Sequence, residues 1–282
     1  MISMLNKYLI AIIIVGVQVF GLESTSLAQS FNRVFEFKKG DVFLSETITT
    51  SNAMIKRGKE VLNVSSTNNL TKSHTITNSD NQGYKMAVKI DKMNAAIDAN
   101  KVRTTFNSEK ITDTTSNILK GLFFTVNKPI EVIVNKNGMI QNFEEYNLEM
   151  ASDTLISFAG VQPEVFKKST LVNFFADFTY NKNLRKGYTW SDSTSVGDEK
   201  TNTRFLIDYV DENVTILNFF KTATTTMLNT NSNGKYVIDN RTGIIAEKYI
   251  YVISVGFQVS AGKTMYAVSR TTSIVEKTKK LP

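Results

Sequence analysis

A single histidine, His74, and no cysteine stand among 282 residues, and these counts limit the chemistry open to the chain. A Ser-His-Asp relay would need His74 as its base. His74 lies in the run Thr71-Lys72-Ser73-His74-Thr75, which has strand composition, and no Gly-x-Ser-x-Gly turn occurs to present a nucleophile. Without cysteine there is no thiolate nucleophile, no thiolate metal site and no disulfide. One imidazole cannot build a histidine-rich zinc centre.

Other patterns come close to known chemistry and stop short. The 256–264 segment ends Gly262-Lys263-Thr264, but five residues separate Gly256 from Gly262 where a phosphate loop has four. Met265, Ala267 and Ser269 then alternate as in a strand, whereas a phosphate loop must open a helix. Asn229-x-Asn231-x-Asn233-Gly234 looks like the front of a calcium loop, yet its twelfth position is Asn240 and no ligand position is a carboxylate. Asn78-x-Asp80-x-Gln82-Gly83 fails in the same way at Lys89. Both read as hairpin turns. Glu144-Glu145 and Asp211-Glu212 are sequence neighbours, which point apart in extended chain, and a glycosidase needs carboxylates that converge. Trp190 with Asp192 is the pairing a sugar site would use; beside a turn it reads as edge packing. The expectation is a non-enzymatic protein with no cofactor and no metal.

What remains is apolar. Phe123, Phe124, Phe166, Phe174, Phe175, Phe178 and Trp190 cluster in or near the middle of the chain. Large aromatics of this kind are ordinary core in most proteins. The sharper expectation makes them the lining of a cavity that holds an apolar or amphipathic, lipid-like ligand.

The elements that must position these residues are mostly strands. Tyr84, Met86, Val88 and Ile90 alternate with Lys85, Ala87, Lys89 and Asp91, the period-two pattern of a half-buried strand. Asn135-Lys136-Asn137-Gly138 between two apolar runs marks a hairpin. The 229–234 segment, ending in Asn233-Gly234, and the 239–243 segment read as further turns. Between the two strand-rich regions, 144–181 has helical spacing. Leu148, Ala151, Leu155, Phe158 and Ala159 form one stripe, ended at Gly160. Pro163 suits the start of a second helix, with Leu171, Phe174, Phe175 and Phe178 on one side. The fold expected is α+β, mainly β: curved antiparallel sheets in two similar halves, 29–143 and 182–276, with a two-helix insert over 144–181 and a tail at 277–282. Phe37-Lys38-Lys39-Gly40-Asp41-Val42 and Leu184-Arg185-Lys186-Gly187-Tyr188-Thr189 echo one another across the halves.

Residues 1–28 carry Lys7, an apolar run from Tyr8 to Phe20 and Ser26-Leu27-Ala28, the pattern of a secretory signal peptide cleaved near Ala28. The expected location is therefore periplasmic or extracellular, with no transmembrane segment after cleavage. The net charge of +7 is spread along the chain. Nucleic-acid binders concentrate their charge on one face, so nucleic acid is not an expected partner.

The Lys39-Gly40-Asp41 strand start, Gly83-Tyr84, Pro129 with Lys136-Asn137-Gly138, Lys186-Gly187 through Trp190, and Asp239 to Thr242-Gly243 resemble, in that order, a family of exported Bacteroidota proteins of unknown function. The resemblance covers most of the chain after residue 28 and implies location and domain extent only. A curved sheet with mid-chain helices over its concave face is also similar in architecture to periplasmic lipoprotein carriers and related lipid-binding envelope proteins. That likeness implies a carrier of an apolar ligand, held between sheet and helices. The alternative is a cell-envelope protein that contacts another protein and has no cavity.

Overall fold

A computed structural model describes residues 36–110, 126, 128–144, 166–175, 185–259 and 264–282. These form twelve strands: β1 Val42–Arg57, β2 Glu60–Ser79, β3 Gly83–Ala99, β4 Val102–Asn107, β5 Ile130–Asn135, β6 Ile140–Phe143, β7 Thr189–Val196, β8 Glu199–Val210, β9 Val214–Thr224, β10 Leu228–Asp239, β11 Ile245–Val259 and β12 Met265–Lys280. They make one sheet in the order β6-β5-β3-β2-β1-β12-β11-β10-β9-β8-β7, with β4 paired to β3. Each strand pair is antiparallel. The chain thus winds as a meander whose first and last long strands, β1 and β12, are paired. Among the described residues β6 and β7 end this order, and β4 pairs with β3 alone.

The alternation predicts this sheet because period-two patterning puts one set of side chains on each face. On what is termed the inner face, β1 presents Phe43, Ser45, Ser51, Ala53 and Ile55, all buried, while Glu46, Ile48, Thr50, Asn52 and Met54 face out and are exposed. The long strand β2 runs unbroken from Glu60 to Ser79. The expected turn ending Asn233-Gly234 lies inside β10. Gly234 is there for packing: a Cβ would meet the Tyr249 carbonyl oxygen at 2.2 Å and the Phe219 ring at 2.8 Å. The aromatic ring of the neighbouring strand lies over the glycine backbone.

The two-helix insert and the α+β class are overturned. No helix occurs among the described residues, which are all-β. Residues 144–165 and 176–181, with the expected first helix and Phe178, fall almost wholly outside the described residues. The 166–175 piece is a strap of turns and bridges. Ser169 has φ 64°, which no right-handed helix allows. The Ser169 N–H donates to the Ile140 carbonyl, the Ile140 N–H donates to the Thr170 carbonyl, and the Ile245 N–H donates to the Phe174 carbonyl. The backbone groups that a helix would satisfy internally go instead to β6 and β11. The spacing of Leu171, Phe174 and Phe175 mimics a helix because all three pack against one apolar cluster, Phe174 and Phe175 buried and Leu171 half-buried.

The strap also shows how the sheet bends. Leu171 bridges to Met139 beside β6, and Phe175 bridges to Ile244 beside β11. Four residues of extended chain cover at most about 14 Å. From β6 to β11 are six strand spacings, roughly 29 Å in a flat sheet. Even with about 5 Å for each bridge, a flat sheet is too wide, so the sheet curls toward the strap.

The echo between the halves is structural. Gly40 (φ 94°) and Gly187 (φ 84°) adopt the same left-handed turn. The Gly40 N–H donates to the Ile76 carbonyl and the Gly187 N–H to the Ile207 carbonyl, both at 2.8 Å. Each turn opens a strand, β1 or β7, against the strand that follows it.

Candidate functional site

Crosswise rows of the register show how the inner face is built. One row runs Leu217, Tyr236, Lys248, Glu276, Thr47, Leu70 and Met93 across β9 to β3. The next runs Phe219, Gly234, Ile250, Ile274, Thr49, Asn68 and Ala95, and the one after runs Lys221, Ser232, Val252, Thr272, Ser51, Ser66 and Ile97. Three apolar clusters flank these rows. One gathers Phe43, Ile76, Met86, Phe174 and Phe175; another Ile55, Val64, Met93 and Val126; a third Phe205, Leu217, Phe219 and Ile238. Between them Ile250, Val252, Thr272, Ile274, Thr49 and Ser232 are only half-buried. Curling of the sheet makes this band a trough of mixed apolar and hydroxyl character.

The strap closes one end of the trough. Phe174 stands 5.4 Å from the Phe43 ring, 4.6 Å from His74 and 4.3 Å from Phe175, measured between ring centroids. Phe175 stacks on Phe37 at 5.7 Å, and Phe166 lies 6.2 Å from Phe143. Of the aromatics singled out by sequence, Phe166, Phe174 and Phe175 therefore meet in one packed cluster and form a floor. Trp190 sits elsewhere on the inner face, stacked 4.9 Å from Phe205 in the third cluster. Phe123, Phe124 and Phe178 lie outside the described residues. The half-buried band itself went unnoticed in the sequence, because its threonines, serines and single aliphatics look like any strand of this chain.

Charge is buried beside the floor. Lys248 and Glu276 are 7% and 8% exposed and form an ion pair of 2.7 Å. The Thr47 hydroxyl donates to the same carboxylate at 3.0 Å, and the Lys248 ammonium donates to the Asn173 carbonyl of the strap. Desolvation pushes the Glu276 carboxyl up. Lys248, Lys72 and the hydrogen bonds from Lys248 and Thr47 outweigh it and hold the group below the usual carboxylate range. Lys72 is itself buried, so two cations share one carboxylate under the strap. One row above, the Asn68 side-chain oxygen is buried with no hydrogen-bond partner among the described residues.

His74 is 0% exposed. Burial, then Lys72, drives its pKa well below the ordinary 6.5. Neither ring nitrogen forms a full hydrogen bond among the described residues. An imidazole so enclosed is neutral packing and cannot exchange protons with a substrate. Linkage gives the sign of its effect. Below pH 6.5 the unfolded chain takes up a proton that the native chain refuses, so stability is intact above that pH and falls on acidification, by up to about 1.4 kcal/mol per pH unit. His74→Leu is expected to flatten the unfolding midpoint between roughly pH 6.5 and 5 and to leave stability at neutral pH unchanged or higher. Urea titrations at a series of pH values measure this; an unchanged slope would mean that His74 is not the proton acceptor.

A second hollow lies on the outer face. Its volume is 460 Å³, and Thr50, Asn52, Thr67, Asn69 and Asn94 line it, with Asp98 and Arg103 at the rim. The lining is hydroxyl and amide. Among the described residues no group of three or more Asp, Glu or His could hold a metal, and no helix is long and apolar enough to cross a membrane.

No protein-family model matches the sequence, and no curated protein matches it. Solved structures do resemble the fold. A structure of lipid–protein interactions in lipovitellin aligns over 88% of this chain with a TM-score of 0.50 and 12% identity. This chain spans about a quarter of that one, 26% of its length. An outer membrane channel from Pseudomonas putida F1 aligns over 92% of this chain at 5% identity with a TM-score of 0.31. The lipovitellin likeness is one of fold: a large antiparallel sheet of long strands.

Proposed function

We propose that this is a non-enzymatic exported protein that binds an amphipathic, lipid-like ligand along the inner face of its sheet. The observation that carries the reading is the half-buried band of Ile250, Val252, Ile274, Thr49, Thr272 and Ser232 between three filled clusters. A fully packed face would have no such band. Its mixture of aliphatic and hydroxyl groups suits a chain with a polar end. The unpartnered Asn68 oxygen is an acceptor for a ligand hydroxyl or amide. The fold shared with lipovitellin, a protein with lipid–protein interactions, agrees with this reading, and the leader pattern of residues 1–28 agrees with export. The ligand lies beside the Phe174–Phe175 floor.

The test is native mass spectrometry after gentle purification, together with titration of a fluorescent fatty-acid probe. Val252→Trp fills the band and is expected to weaken probe binding at least tenfold, with the fold intact by circular dichroism. No co-purified lipid and no probe binding by the wild-type protein would sink the proposal. A second reading rests on β7. This edge strand has exposed Ser191, Asp192, Ser193 and Thr194 and pairs on one side only among the described residues, which suits strand addition by a protein partner. Crosslinking in cells that gives no reproducible partner through β7 counts against it.

A further inference from the structure

The outer face carries an apolar patch that neither the sheet nor the strap uses. Along β11, Val255, Phe257 and Val259 are 47–51% exposed, Met265 across the hairpin is 55% exposed, and Met54 and Val61 on β1 and β2 are 50% and 44% exposed. Register places them together. Phe257 pairs with Ala267, Ala267 with Lys56, and Lys56 with Val61, while Val255 pairs with Ser269 and Ser269 with Met54. All lie at the end of the sheet where the β1–β2, β3–β4 and β11–β12 connections turn.

Cations gather at the same end. Lys56, Arg57 and Lys59 surround the first turn, and Lys101 and Arg103 the second, all exposed. Among the described residues the carboxylates around these two turns are Glu60 and Asp98, and Asp98 is 3.9 Å from Arg103. Val102, 68% exposed, tips the second turn. Apolar side chains interleaved with long basic ones are what an anionic bilayer interface accepts. The apolar groups enter between headgroups, and the lysines and arginines stay at phosphate level. A protein partner would bring a shaped surface and paired charges, and the excess of cations over carboxylates here matches a diffuse negative surface better.

We propose that this end of the sheet docks on an anionic lipid surface through Met54, Val255, Phe257, Val259 and Met265, with Lys56, Arg57 and Lys59 at the headgroups. The docking is independent of what the inner face holds.

Cosedimentation with phosphatidylcholine vesicles, with and without phosphatidylglycerol, tests it on the whole protein. The wild-type protein is expected to bind the anionic vesicles and to leave them as salt rises. Phe257→Asp should weaken binding at least tenfold. Lys56→Glu with Arg57→Glu and Lys59→Glu should weaken it roughly a hundredfold or more. Asn231→Ser, in the middle of the outer face, should have no effect. Circular dichroism confirms folding, which these exposed sites tolerate. No binding to anionic vesicles, or binding unchanged in both variants, overturns the proposal. So does a wild-type dimer in sedimentation velocity that Phe257→Asp converts to monomer without any vesicle binding, since the patch is then a self-association surface. A fatty-acid probe titrated without vesicles separates this from the inner-face reading. Vesicle binding without probe binding leaves the docking standing and removes the inner-face ligand; the reverse removes the docking alone.

Discussion

Replacing Glu276 by Gln is expected to cost about 3–5 kcal/mol of folding stability, a large part of what a domain usually has. Among the described residues the carboxylate is the buried anion that Lys248 and Lys72 act on. It faces Lys248 at 2.7 Å and feels Lys72 as well. Glutamine keeps the volume and one acceptor for Thr47, but removes the negative charge that acts on two buried ammonium groups. Removing all three charges together, as Lys72→Met, Lys248→Met and Glu276→Leu, is expected to restore most of the loss. Converting a buried ion group into well-packed apolar side chains is often neutral, whereas breaking it is not. Guanidinium unfolding of the single and triple variants measures both. A Glu276→Gln loss under about 1 kcal/mol would show that water reaches the group. The same carboxylate adds an acid limit. Its native pKa is below the ordinary 4.5, so its contribution is present above that pH and is lost as pH falls through the native value, beneath the window set by His74.

Much of the sheet was legible because its signals are local. Alternation from Tyr84 to Asp91 names one strand whatever the rest of the chain does, and Asn135-Lys136-Asn137-Gly138 turns β5 into β6 wherever the hairpin sits. The glycines at 40 and 187 announced the same turn twice, and both turns formed. Two signals misled. Asn233-Gly234 has turn composition, but the Phe219 ring on the neighbouring strand needs a residue without a side chain there. Leu171, Phe174 and Phe175 have helical spacing, but Ile140 and Ile245 take the backbone bonds of their segment. In both cases the decisive partner is distant in sequence, which no local pattern can report. The candidate site was less legible still. Pairing of β1 with β12 brings Thr47 to Glu276 across 229 residues, and Lys248 reads as one more strand lysine until that pairing buries it.

The strap offers the second large effect. Phe174→Ala is expected to destabilise the protein by about 3–5 kcal/mol. The ring is 1% exposed and touches Phe43, His74 and Phe175. Its backbone carbonyl is pinned by the Ile245 N–H, so the strap cannot easily sink into the space left behind. Phe257→Ala on the outer face, half-exposed at 50%, should cost far less, which separates burial from aromatic character. Comparison with ligand binding makes the result informative about function. If Phe174 is floor, the truncated protein, assayed well below its unfolding midpoint, binds a fatty-acid probe as the wild-type protein does, while Val252→Trp does not. If Phe174 instead lines the ligand site, truncation costs little stability and changes probe affinity strongly. The aromatic contacts on the sheet and strap sides of Phe174 favour the first outcome, because a ring already in van der Waals contact with three aromatic neighbours has little surface left to offer a ligand.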